Sequence, residues 1–237
     1  GSCAAVFCYA LTIGVRIAPE QPIILDPDQG GTAARRREKH MTLHDLMAKE
    51  GLRVVLFKSR NKDNRALDGF KERSVSFVST RSLDQLEGEF QDFVRKGLPG
   101  ELCRMYVTVN RRDNAKVLRG LQHYLLDHPE VSAAALPAKL SSIAEQKENA
   151  VDHHWLFDFD GTDERHQHFL SNLKGLLARM GHTHPEVSSP TPVNGHAVVV
   201  SRGFDTRSLM RYWSDPEEVS LKRDAKLLWT WARTPEQ

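Results

Sequence analysis

Short runs of β-branched and aromatic residues alternate along this chain with segments whose apolar residues recur every three or four positions. That alternation restricts the fold to layers of sheet and helix. The run LRVVLF at 52–57 reads as a buried strand. Ser82 with Gln85 three residues on has the spacing of a capping box, and Leu83, Leu86, Phe90, Phe93 and Val94 form the apolar stripe of the helix it opens, closed by Gly97. LCRMYVTV at 102–109 is a second strand, and Asn110 or Asp113 can cap a helix with Val117, Leu118, Leu121, Tyr124 and Leu125 on its inner face. A further helix is expected over Leu136–Lys147.

The second half repeats the scheme. HWLFDFD at 154–160 reads as a strand, and Asp163 can cap a long helix that Gly181 stops. Pro185, Pro190 and Pro192 mark a loop before a strand over His196–Ser201. Asp205 or Thr206 opens a short helix ending near Trp213, and Val219–Lys222 with Lys226–Trp231 reads as a closing hairpin. The class expected is α/β (α+β), a mixed sheet with flanking helices. Residues 1–40, turn-rich and then basic, read as a flexible leader before Met41. An N-terminal α/β module over 41–150 and a carboxylate-bearing module over 151–237 follow, as one domain or two closely joined halves.

Composition narrows the chemistry. The 237 residues carry 33 Lys+Arg against 31 Asp+Glu, a net charge of +2 that excludes a polybasic scaffold but not locally grouped cations. Cys3, Cys8 and Cys103 form no CxxC pair, which excludes a disulfide framework and a cysteine-built zinc module. No apolar run reaches the roughly 18–20 residues of a membrane span. A cytoplasmic protein working through oxygen and nitrogen ligands, without a membrane partner, is expected.

The most informative segment is WLFDFD at 155–160. Side chains alternate along a strand, so Asp158 and Asp160 share a face. Two adjacent carboxylates repel, and Mg²⁺ or Mn²⁺ would resolve that repulsion. The alternative is a strand end entering water. Downstream, Thr191, Asn194 and Gly195 form a turn whose backbone a phosphate can approach, and His196 can donate to phosphate oxygen; equally, the turn is only a turn. Lys222, Arg223 and Asp224 end a later strand, with Asp224 either a third carboxylate or the first residue of a tight turn.

In their order these pieces resemble the archaeo-eukaryotic primase superfamily of primase-polymerases, over about residues 150–230. The resemblance rests on Asp158 and Asp160, the turn Thr191 to His196, and Asp224. It implies an RRM-like catalytic module and metal-dependent nucleotidyl transfer between nucleic acid and nucleoside triphosphates. Asp158, Asp160 and Asp224 would hold Mg²⁺ or Mn²⁺, and His196 would meet the triphosphate. His196 follows Gly195 directly, one residue earlier than in that family, a shift that turns its side chain to the other strand face unless the turn absorbs it. Lys58, Arg60, Lys62, Arg111 and Arg112 are the basic candidates for holding nucleic acid, with Lys222 and Arg223 for the nucleotide. The chain also resembles small phage-encoded proteins with a similar pattern. FDFDGT at 157–162 resembles in turn the first motif of haloacid-dehalogenase-like phosphatases, with Ser201 and Lys222 in the later roles. A non-catalytic nucleic-acid- or protein-binding factor is the third reading. Trp213, Trp229 and Trp231 are expected in the core.

Overall fold

The computed structural model describes residues 43–181, 187–190 and 195–235. The α+β class holds, with the strands divided between two four-stranded antiparallel sheets. The first half supplies α1 (Leu43–Met47), β1 (Arg53–Ser59), β2 (Arg73–Ser79), α2 (Leu83–Arg95), β3 (Leu102–Thr108), α3 (Asn114–Asp127) and α4 (Leu136–Ala144). The second half supplies β4 (His154–Asp160), α5 (Asp163–Arg179), β5 (Val187–Pro190), β6 (Gly195–Ser201), α6 (Arg207–Tyr212), β7 (Val219–Lys222) and β8 (Lys226–Arg233). The expected leader lies outside the described residues.

The first sheet runs β2-β1-β3-β8. Alternation along β1 sends Val55 and Phe57 to one face, where Leu86, Phe90 and Val94 of α2 cover them together with Met105 and Val107 of β3. Val54 goes to the other face, against Val117 of α3 and Ile143 of α4. The Ser82 capping box closes in both directions, so α2 begins where its first free N–H groups find acceptors. Asp113, not Asn110, caps α3.

The second sheet runs β5-β6-β4-β7, and its elements follow the order β-α-β-β-α-β. This is the split βαβ arrangement expected of an RRM-like module, with β6 inserted between β4 and β5 and β4 between β6 and β7. Phe157 and Phe159 pack on Phe169 of α5, ring centroids 5.5 and 5.6 Å apart, and Trp213 after α6 completes this core. Thr162, one residue before the expected Asp163, caps α5.

Two expectations about strands need correcting. The strands 219–222 and 226–233 do not form a hairpin with each other: β7 pairs with β4 in the second sheet and β8 with β3 in the first. The segment 187–190, expected as loop, is strand β5. β8 thus returns the chain to the first sheet, while Leu156, Ala197 and Val199 of the second sheet join the core that contains Leu227 of β8. Residues 39–237 accordingly form one compact unit. Trp213 is buried as expected, but Trp231 is exposed. Among the described residues no helix is long and apolar enough to cross a membrane.

Candidate functional site

β4 divides its side chains cleanly. Trp155, Phe157 and Phe159 face the core under α5, which leaves Leu156, Asp158 and Asp160 on the face toward the first sheet. There the sheets diverge into a cleft of about 430 Å³, walled by Arg104 and Tyr106 of β3 opposite the two aspartates. The neighbours in register keep the carboxylates uncovered. Asp158 lies between Ala197 and Ser220, and Asp160 lies beside Gly195. Asp158 and Asp160 share one face as alternation requires.

The charges are asymmetric. The Lys222 ammonium is ion-paired with Asp158. Asp160 has no such partner among the described residues. Partial loss of hydration and then the neighbouring Asp158 push its carboxyl above the ordinary range, against smaller opposing contributions from Lys222 and Lys62. On the facing wall one carboxylate, Asp63, holds two guanidiniums in forked pairs, Arg60 at 2.9 and 3.1 Å and Arg104 at 2.7 Å twice. Two cations on one anion leave that wall positive.

Asp224 is not brought to this pair. It sits in the turn between β7 and β8, where both its oxygens are held by Arg112 (2.7 and 2.9 Å) and one also by Asn110 (3.1 Å). A third metal-binding role for Asp224 therefore gives way to a structural one. Among the described residues no three His, Cys, Asp or Glu side chains group to hold a metal. His196 is likewise on the other face. It lies opposite Phe159, stacks on His166 with centroids 4.0 Å apart, and hydrogen-bonds Asp163 at 2.9 Å. His196 therefore faces away from Asp158 and Asp160, against the role expected of it beside them. His166 is buried beneath it, and burial, then His196, lowers its pKa to about 4.

The basic candidates separate in the same way. Arg112 has a side chain only 1% exposed and is committed to Asp224, and Arg111 is committed to Asp152 through bonds of 2.8 and 2.9 Å. Neither guanidinium is free for nucleic acid. Lys58 pairs with Glu72. Arg60, Lys62 and Lys222 do line the cleft, whereas Arg223 lies over the Trp155 ring, away from it. Thr191 and Asn194 lie outside the described residues. For the phosphatase reading, Lys222 meets Asp158 as required, but Ser201 pairs with His154 at the opposite end of β4.

The polar cleft residues not singled out from the sequence are Asp63, Arg104, Tyr106 and Lys226. A signal for Arg104 and Tyr106 existed: in LCRMYV they fall on the strand face opposite Cys103, Met105 and Val107, an arginine where a one-faced core strand has no use for one. Cys103 is buried, and burial raises its thiol to about 11, in keeping with an unreactive cysteine.

Compared with protein-family models, curated proteins and solved structures, the chain matches none.

Proposed function

We propose that the cleft between the sheets is a divalent-metal-dependent nucleotidyl-transfer site of the primase-polymerase type, acting on nucleic acid and nucleoside triphosphates. One observation carries this reading: Asp158 and Asp160 stand side by side on one strand face at a cleft, Asp160 without an ion-pair partner among the described residues, and the cleft's lining carries an excess of cations. The donor set suits a hard cation, since carboxylate oxygen is what Mg²⁺ and Mn²⁺ prefer. When bound, such an ion supplies neutralisation of phosphate charge and a lower pKa for an attacking hydroxyl. Asp158 and Asp160 would hold it. Arg60, Arg104 and Lys62 would orient the triphosphate, and Lys222, next to Asp158, would bind its departing end. With the two substrates met in the cytoplasm, the protein acts there, in the host's cytoplasm if phage-encoded.

Incubation of the full chain with a primed DNA or RNA template, Mn²⁺ and labelled nucleoside triphosphates is expected to lengthen the primer. The raised Asp160 pKa fixes the sign of the pH dependence. Its proton must leave before metal enters, so apparent Mn²⁺ affinity falls as pH drops through that pKa, by about tenfold per unit below it. Release of inorganic phosphate from a small phosphate ester without primer extension would favour the phosphatase reading, which the Lys222–Asp158 contact supports. Inactivity in both assays alongside intact nucleic-acid binding would favour the non-catalytic factor.

A further inference from the structure

We propose that a second cavity, at the opposite end of the same sheet, binds one nucleotide, with its phosphate on Arg202 and Arg223 and its base against Trp155 and Phe204. The topology builds this site. β6 and β7 flank β4 and both run antiparallel to it, so both end where β4 begins. The residues that follow them, Arg202 and Arg223, are therefore delivered to either side of Trp155, near the start of β4. The cavity they border has a volume of about 650 Å³, within the range of small-molecule sites.

Its chemistry is that of a nucleotide on two counts. The wall is aromatic: Trp155 and Phe204 lie with centroids 5.7 Å apart, and the Arg223 guanidinium stands 5.4 Å from the Trp155 ring. Both rings are more than nine-tenths buried, so the core fixes the small part of each that borders the cavity, and a base meets that part with little further ordering. The rim is cationic, and its cations are available. Arg60, Arg73, Arg104, Arg111, Arg112 and Arg165 all have carboxylate partners. Arg202, Arg223 and Lys147 at this cavity have none among the described residues. Asp224 also borders the cavity, but Arg112 already neutralises it, leaving Glu148 as the single unmatched acid of the lining. Forked guanidiniums beside a fixed aromatic face suit phosphate and base together.

The site is distinct from the Asp158–Asp160 cleft, and its test is separable from it. Fluorescence anisotropy of a labelled twelve-nucleotide oligothymidylate is measured with the full chain, with R202Q/R223Q, with the exposed control pair R119Q/R211Q, and with D158N/D160N. The expected result is that R202Q/R223Q weakens binding at least about tenfold and flattens the dependence of log K on log salt by about 0.7, the contribution of one single-strand phosphate. The control pair is expected to stay within about twofold of wild type, whereas D158N/D160N, which strips negative charge from the other cleft, is expected to bind no more weakly than wild type in the absence of metal. Displacement of the oligomer by thymidine monophosphate would assign a free nucleotide to the site, and failure to displace it a unit of a strand. Equal affinities for wild type and R202Q/R223Q, or an equal loss in the control pair, would overturn the proposal.

Discussion

Replacing Asp158 and Asp160 together by Asn is expected to weaken Mn²⁺ binding by at least about a hundredfold, read by calorimetric titration, while the fold survives. The loss follows from the donor set. An amide offers one neutral oxygen where the carboxylate offered a charged pair, and both donors on the cleft face change at once. Survival follows from position: Asp160 is exposed, Asp158 is half-buried, and their register neighbours Ala197, Ser220 and Gly195 make no demand on either. The variant also removes the repulsion that raises the Asp160 pKa, while giving up the exposed Lys222–Asp158 pair, so the net change in stability stays within about 1 kcal/mol. Tightening of wild-type binding by a nucleoside triphosphate is the companion result. Equal Mn²⁺ binding by variant and wild type would return the two aspartates to the status of a strand end in water.

Asp224→Ala is expected to behave in the opposite manner, destabilising the protein by about 3–5 kcal/mol in urea unfolding while leaving Mn²⁺ binding unchanged. The cost comes from what stays behind. The Arg112 guanidinium is almost wholly buried, and without Asp224 its charge has no partner. The damage extends through the backbone, because Arg112 bridges to Leu52 and to Ala150, and Asn110, which also touches Asp224, clamps both the N–H and the carbonyl of His154 at the start of β4. A loss of metal binding with stability retained would instead restore Asp224 to the metal site.

These two variants separate what could be read from the chain alone from what could not. β4 was legible to the residue, because Trp155, Phe157 and Phe159 alternate with Asp158 and Asp160, and Leu156 on the acidic face only lengthens the apolar run. The α2 start was equally plain, since a capping box is a local device. β2 was missed: as an edge strand it exposes Ser74 and Val75 and half-buries Phe77, so its sequence shows little of the contrast that marks a strand. β5 was hidden by Pro190 and its serines, a composition that signals loop. The false hairpin had a sound local basis in two adjacent short strands, but strand partners are chosen by sheets assembled from distant segments. Pairing also decided the site. Which of Asp158, Asp160 and Asp224 remains uncommitted depends on where Arg112 and Lys222 lie in space, and spacing along the chain carries no such information. The face occupied by His196, by contrast, followed from counting one residue.

The return of β8 to the first sheet has a consequence for how the molecule comes to exist. β3 must wait for its outer partner: Leu102 pairs with Arg233 and Thr108 with Lys226, across the whole of the second sheet. During synthesis the edge of β3 therefore leaves the ribosome bare, and stays bare while more than a hundred further residues are translated. Contacts of such long sequence separation slow folding, and an open strand edge invites pairing with a neighbouring chain. The nascent protein is thus most vulnerable to aggregation in the interval before its last strand emerges.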